Sequence, residues 1–132
     1  MTRLILMVVA VIGFATPTAD AAQKTGTLPA EAEAVIRKAR DAAQNKDLKT
    51  LRSLMVQEFL WSFGGDRDAD QAITEWKKDA NVLSHIVRVL DKGCKYVEPR
   101  KVECPGAGDL SYRAGFTQRQ TQWQMDYFVA GD

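Results

Sequence analysis

The chain reads as an α+β domain in which N-terminal helices pack on a mostly antiparallel sheet. Three observations predict this. Apolar residues recur at helical spacing over residues 28–44 and again over 69–92. The C-terminal stretch from Leu110 to Val129 instead alternates with period two, as a hairpin with one buried face does. Helices therefore precede most strands, which separates α+β from a regularly alternating α/β chain.

A processing segment stands before this domain. Arg3 gives a positive start, Leu4 to Ala15 is an uncharged apolar run, and Ala19-Asp20-Ala21 places small residues at a cleavage site. This pattern predicts a signal peptide over 1–21, a flexible lead-in over 22–27 and a single domain over 28–132. The run is too short to cross a bilayer comfortably, and no other apolar stretch has transmembrane length, so no membrane span is expected after cleavage. The segment takes Arg3 and Asp20 with it, leaving the net charge at +1. There is no basic excess for nucleic acid. The expected destination is a periplasm or the cell exterior.

The elements follow in order. Thr27 is placed to cap a helix over 28–44, with Pro29, Glu31 and Glu33 in its first turn. Ala32, Val35, Ile36, Ala39, Ala42 and Ala43 fall on one face. Asp47 then caps a short helix that turns Leu48, Leu51, Leu54 and Met55 inward. Glu58 to Phe63 alternates, with Phe59, Trp61 and Phe63 on one side, and predicts a strand closed by Gly64-Gly65. Asp66, Asp68 and Asp70 imitate the start of a calcium loop. The match fails at Gln71, where glycine is needed, and at Lys77, where a bidentate glutamate is needed. A cap for the next helix is the better use of these aspartates. That helix, bent or divided near Asn81, covers 69–92 and ends at Gly93. Lys95-Tyr96-Val97 and Lys101-Val102-Glu103 make two short strands around Pro99. In the final hairpin Tyr112, Ala114 and Phe116 face inward, followed by Trp123, Met125, Tyr127 and Val129. Gln124, Asp126 and Phe128 face outward.

Cys94 and Cys104 are the only cysteines, an even count that predicts a disulfide in an exported chain. They are not in a Cys-x-x-Cys arrangement, which argues against redox catalysis. A zinc site needs four ligands, and the chain has one histidine. No metal is expected.

The segment from Asp47-Leu48 to Met55 runs into Glu58-Phe59-Leu60-Trp61, and the last strand, Trp123 to Val129, closes on Ala130-Gly131-Asp132. In this order and at this size the chain resembles the nuclear transport factor 2-like superfamily over about residues 28–131. The resemblance implies a strongly curved sheet wrapped over a long N-terminal helix, a cone with an apolar pocket. It does not select a function, because that superfamily hosts isomerases, dehydratases, binding modules and transport adaptors. The steroid isomerases of this fold use a general-base aspartate with tyrosine and acid oxyanion donors. None of these matches a residue here.

The chemistry-bearing residues are few. His85 sits in an amphipathic helical pattern without a nucleophile motif beside it. Glu58, Asp109 and Asp126 are the carboxylates nearest aromatic strand residues, and each reads first as a solvated or capping group. Trp61, Trp76, Tyr112, Trp123 and Tyr127 are the candidates for lining a ligand pocket. No nucleophile elbow, phosphate loop or dinucleotide fingerprint is present, so no cofactor is expected and the catalytic residues are unassigned. The leading expectation is a non-catalytic exported domain that binds a small apolar ligand or an envelope protein. The alternative is an isomerase- or hydratase-like enzyme with a buried carboxylate in a cone-shaped pocket. Phe128, on the outward face of the last strand, would also suit a homodimer packed sheet to sheet.

Overall fold

The computed structural model describes residues 13, 27–62, 64–105 and 112–130. The expected signal segment apart from Gly13, the lead-in apart from Thr27, Phe63 and Asp109 lie outside the described residues.

Helix α1 spans Ala30–Gln44. The sequence places Thr27 as its cap, but Pro29 occupies that position with extended backbone (φ −65°, ψ 152°) and makes no side-chain cap hydrogen bond. Its buried residues are Ala32, Ala39, Ala42 and Ala43, small side chains that let the backbone approach its neighbours closely. After a turn with positive φ at Lys46, Asp47 caps α2 (Leu48–Ser53), its Oδ1 accepting from the Thr50 N–H at 3.1 Å.

Strand β1 spans Met55–Leu60, earlier than the expected Glu58–Phe63. The Leu54 carbonyl accepts from the Met125 N–H at 2.7 Å, so pairing catches the chain as soon as α2 ends. At the other end the Trp61 N–H donates to the Asp66 carbonyl at 3.2 Å, which places Trp61 in the following turn instead of the ladder. The aspartates beyond that turn are spent locally. Asp68 Oδ1 caps α3 (Ala69–Lys78) by accepting from the N–H groups of Asp70 and Gln71 at 2.8 and 3.1 Å. Asp66 accepts from Ser62 Oγ, and Asp70 pairs with Arg52. Asp79 has extended backbone and breaks the helical stretch. Its carboxylate accepts from the Asn81 N–H at 3.0 Å, where α4 (Asn81–Asp91) begins. Gly93 follows with φ 91°, a conformation that favours glycine.

Strands β2 (Lys95–Glu98), β3 (Lys101–Cys104), β4 (Arg113–Arg119) and β5 (Gln122–Val129) complete the sheet. Its order is β1-β5-β4-β3-β2, antiparallel except for the parallel β1–β5 pair. Cys94 and Cys104 form a disulfide, with their Cα atoms 4.3 Å apart.

The register explains the two faces. Tyr96, Val102, Phe116, Met125 and Met55 form one row across all five strands, directed at the helices. The row Lys95, Glu103, Gly115, Tyr127 and Leu60 faces away. Between them β5 carries a bulge. Phe116 pairs with Met125 and Gly115 with Tyr127, so one residue of β4 faces two of β5 and Asp126 is the extra one. The bulge resets the alternation. Phe128, expected outside, is 3% exposed and belongs to the core, whereas Tyr127, expected inside, turns to the opposite face. The core also holds Leu51, Val56, Phe59, Ile86 and Trp123. Burying a large apolar side chain of this kind contributes roughly 1.5–3 kcal/mol. α1 packs against α4 and β5, and α3 against β1.

Candidate functional site

The elements meet around a cavity of about 340 Å³ at the C-terminal end of β5. The turn after β1 supplies Trp61 and Ser62. The last turns of α3 supply Glu75, Trp76 and Asp79, α4 supplies Val82, and Tyr112 enters ahead of β4. Phe128, Val129 and Ala130 form the remaining wall. The volume is in the range of small-molecule sites, which run from about 300 to 1,000 Å³.

The rings are held by one another. Phe59 and Trp76 meet edge to face with centroids 5.6 Å apart, and Trp76 and Phe128 do the same at 6.1 Å. Phe128 stacks on Tyr112 at 5.4 Å, and Tyr112 stacks on His85 at 4.4 Å. Such pairs add about 0.5–1.5 kcal/mol each beyond area burial and fix the orientation of the walls. Tyr112 thus has a ring on each face. Trp61 stands outside this series, and its Nε1–H is shut off from water without an acceptor among the described residues.

The polar groups stand at the rim. Glu75 and Asp79 are one helical turn apart and both are exposed. Glu75 pairs with Lys78 at 3.2 Å, a solvent-exposed i,i+3 contact worth little. Ser62 Oγ is engaged with the Asp66 carboxylate at 2.5 Å. A second, more open depression of about 540 Å³ lies beside the cavity and shares Trp61 and Glu75 with it. Asp66 and Asp70 line it as well, and among the described residues no lysine or arginine lines either space. Among the described residues no group of His, Cys, Asp and Glu side chains is placed to hold a metal ion.

Of the five aromatic residues singled out in the sequence, Trp61, Trp76 and Tyr112 line this cavity. Trp123 is buried near the other end of β5, opposite Gln118, and Tyr127 lies on the outer sheet face, where its hydroxyl donates to Glu103 Oε2. Burial and that hydrogen bond push the Tyr127 pKa well above the ordinary phenol value. His85 lies behind Tyr112 and is hydrogen-bonded to Arg88 at 2.7 Å through Nδ1. Glu58 is ion-paired with Arg119, which holds its carboxyl below the usual range. Sequence reasoning missed Phe128, Glu75 and Asp79. The i,i+4 spacing of the two carboxylates around Trp76 was a usable signal, but the bulge that turns Phe128 inward was not.

Helices on one face of a mixed, open five-stranded sheet, with an aromatic cavity at the sheet's end, settle the architecture. This arrangement is consistent with the nuclear transport factor 2-like α+β fold that the sequence resembles. Solved structures of similar fold include a nuclear transport factor 2-like protein of unknown function from Shewanella oneidensis MR-1, at 14% identity over 76% of this chain and 95% of that one, with a TM-score of 0.49. Another is the nuclear transport factor 2-like protein with a cystatin-like fold from Novosphingobium aromaticivorans, at 17% identity over 75% and 77% of the two chains, with a TM-score of 0.42. A hexachlorocyclohexane dehydrochlorinase is similar at 11% identity over 83% and 84%, with a TM-score of 0.46. No protein-family profile matches the sequence, and no curated protein matches it. No helix among the described residues is long and apolar enough to cross a membrane.

Proposed function

We propose that this protein is an exported domain that binds a small, largely apolar ligand in the cavity between α3, α4 and the end of the sheet. The observation that carries the reading is the convergence of Trp61, Trp76, Tyr112 and Phe128 on one space of ligand size. The apolar run from Leu4 to Ala15, the small residues before Ala22 and the Cys94–Cys104 disulfide support export. A small ligand fits this geometry better than an envelope protein, because the aromatic residues line a recess instead of an exposed apolar face. Among the described residues Val97 is the one large hydrophobic group that is strongly exposed.

The test is calorimetric titration of residues 22–132 with a panel of mono- and bicyclic aromatic compounds. Saturable binding that Trp61→Ala weakens supports the reading. A panel that gives no binding and no thermal shift overturns it. Mass measurement of the secreted or periplasmic product tests export, the expected N-terminus being Ala22.

A further inference from the structure

Resting on that reading, we infer that the ligand carries a positive charge, as an organic amine or quaternary ammonium group seated against Trp61. Three observations point this way. The first is the sign of the lining. Glu75 and Asp79 border the cavity, Asp66 and Asp70 border the adjoining depression, and no basic residue among those described lines either. A ligand acid would meet only like charge there, which costs affinity. Part of this charge is already compensated, since Arg52 pairs with Asp70 and Lys78 with Glu75. Among the described residues the Asp79 carboxylate accepts only the Asn81 N–H and has no ion-pair partner, so its charge is left for a ligand.

The second observation is the state of the rings. The faces of Tyr112 are taken by His85 and Phe128. Trp61 forms no ring pair among the described residues, and indole is the strongest of the aromatic side chains at holding a cation over its face. The third is the coincidence of the two. Trp61 and Glu75 are the residues common to both spaces, so this ring borders both, with Asp79 on the one and Asp66 and Asp70 on the other. An apolar cation satisfies aromatic walls and an acidic rim together. A neutral hydrocarbon uses only the walls.

Phenyltrimethylammonium and its uncharged carbon isostere tert-butylbenzene separate these cases, titrated into residues 22–132 with tryptophan fluorescence as the readout. The charged compound is expected to bind about tenfold more tightly, with affinity that falls as salt is raised. Glu75→Gln with Asp79→Asn is the decisive variant. Both positions are exposed, and the amide oxygen that replaces the Asp79 carboxylate still accepts from the Asn81 N–H, so the fold is retained. The variant is expected to lower affinity for the cation about fivefold to tenfold and to leave tert-butylbenzene unchanged. Equal or tighter binding of the neutral isostere, or a cation affinity that the double variant does not alter, overturns the inference and leaves the apolar cavity standing. Failure of both compounds to bind overturns the inference and the cavity reading together.

Discussion

The ring of Tyr127 lies over Gly115, in the space that a side chain on Gly115 would need. The two residues are register partners on β5 and β4, and Glu103 is the partner of Gly115 on β3. Tyr127 therefore spans the glycine to donate its hydroxyl hydrogen bond to a strand two places away. An aromatic ring laid across a strand glycine restores the packing that glycine lacks.

Gly115→Ala is accordingly expected to displace Tyr127 and break its bond to Glu103. The cost should be about 1–3 kcal/mol in chemical denaturation, the range for overpacking a well-filled site. In a Tyr127→Ala background the same change should cost much less, because the overlap has gone. Equal costs in both backgrounds would show that the ring does not hold the glycine in place.

The bulge at Asp126 makes Phe128 and Tyr127 unequal in a way opposite to simple alternation. Phe128→Ala should destabilise by about 3–5 kcal/mol, as a deletion from a packed core does. Tyr127→Phe keeps the ring and removes one hydrogen bond to a carboxylate, so about 1.5–3 kcal/mol is expected. Urea midpoints of the two variants in the reverse order would refute the register.

Stability should decline at both ends of the pH scale. Asp47, Glu58, Asp70 and Asp91 are held below their ordinary values, first of all by hydrogen bonds to Thr50, Arg119, Arg52 and Arg40. Their contribution is present above the unfolded carboxylate range near 4 and is lost as pH falls through the lower folded values. Tyr127 and Tyr96 shift the other way, both through burial and Tyr127 also through Glu103. Their contribution is complete below the unfolded phenol value near 10 and is lost as pH rises from there. Thermal midpoints across pH should thus fall on the alkaline side, and Tyr127→Phe should flatten that limb. An unchanged limb in this variant would remove Tyr127 from the account.

Replacing both cysteines by alanine should cost about 2.5–3 kcal/mol, the chain-entropy value for a loop closed across a sequence separation of 10. The loss should be the same when the wild type is reduced, read as a drop in the denaturant midpoint. A double variant as stable as the oxidised protein would show that the bridge adds nothing to the folded state.

Much of this fold was legible because its signals are local. The helical face from Ala32 to Ala43, an aspartate cap on the helix that starts at Ala69 and the Cys94–Cys104 pair each depend on residues close in sequence, and the structure contains all three, with Asp68 as the cap. The parallel β1–β5 pairing depends on contacts far along the chain, and nothing within Met55–Leu60 encodes its partner. The early start of β1 and the release of Trp61 into a turn follow from that pairing and from the Ser62–Asp66 hydrogen bonds. The cavity was half legible. Aromatic residues announce themselves, but which of them share one space depends on a single extra residue in β5. That residue sends Tyr127 out and Phe128 in.

The place of β5 between β1 and β4 bears on how the chain comes to be folded as it is made. β1 has no other neighbour in the described sheet, and its partner is synthesised roughly 60 residues later. At ordinary translation speeds of about 5–20 residues per second, this strand waits roughly 3–12 seconds for its ladder. Throughout that interval the backbone groups of β1 lack the strand that will pair them, so nascent chains halted before residue 122 should be the form that chaperones or proteases capture.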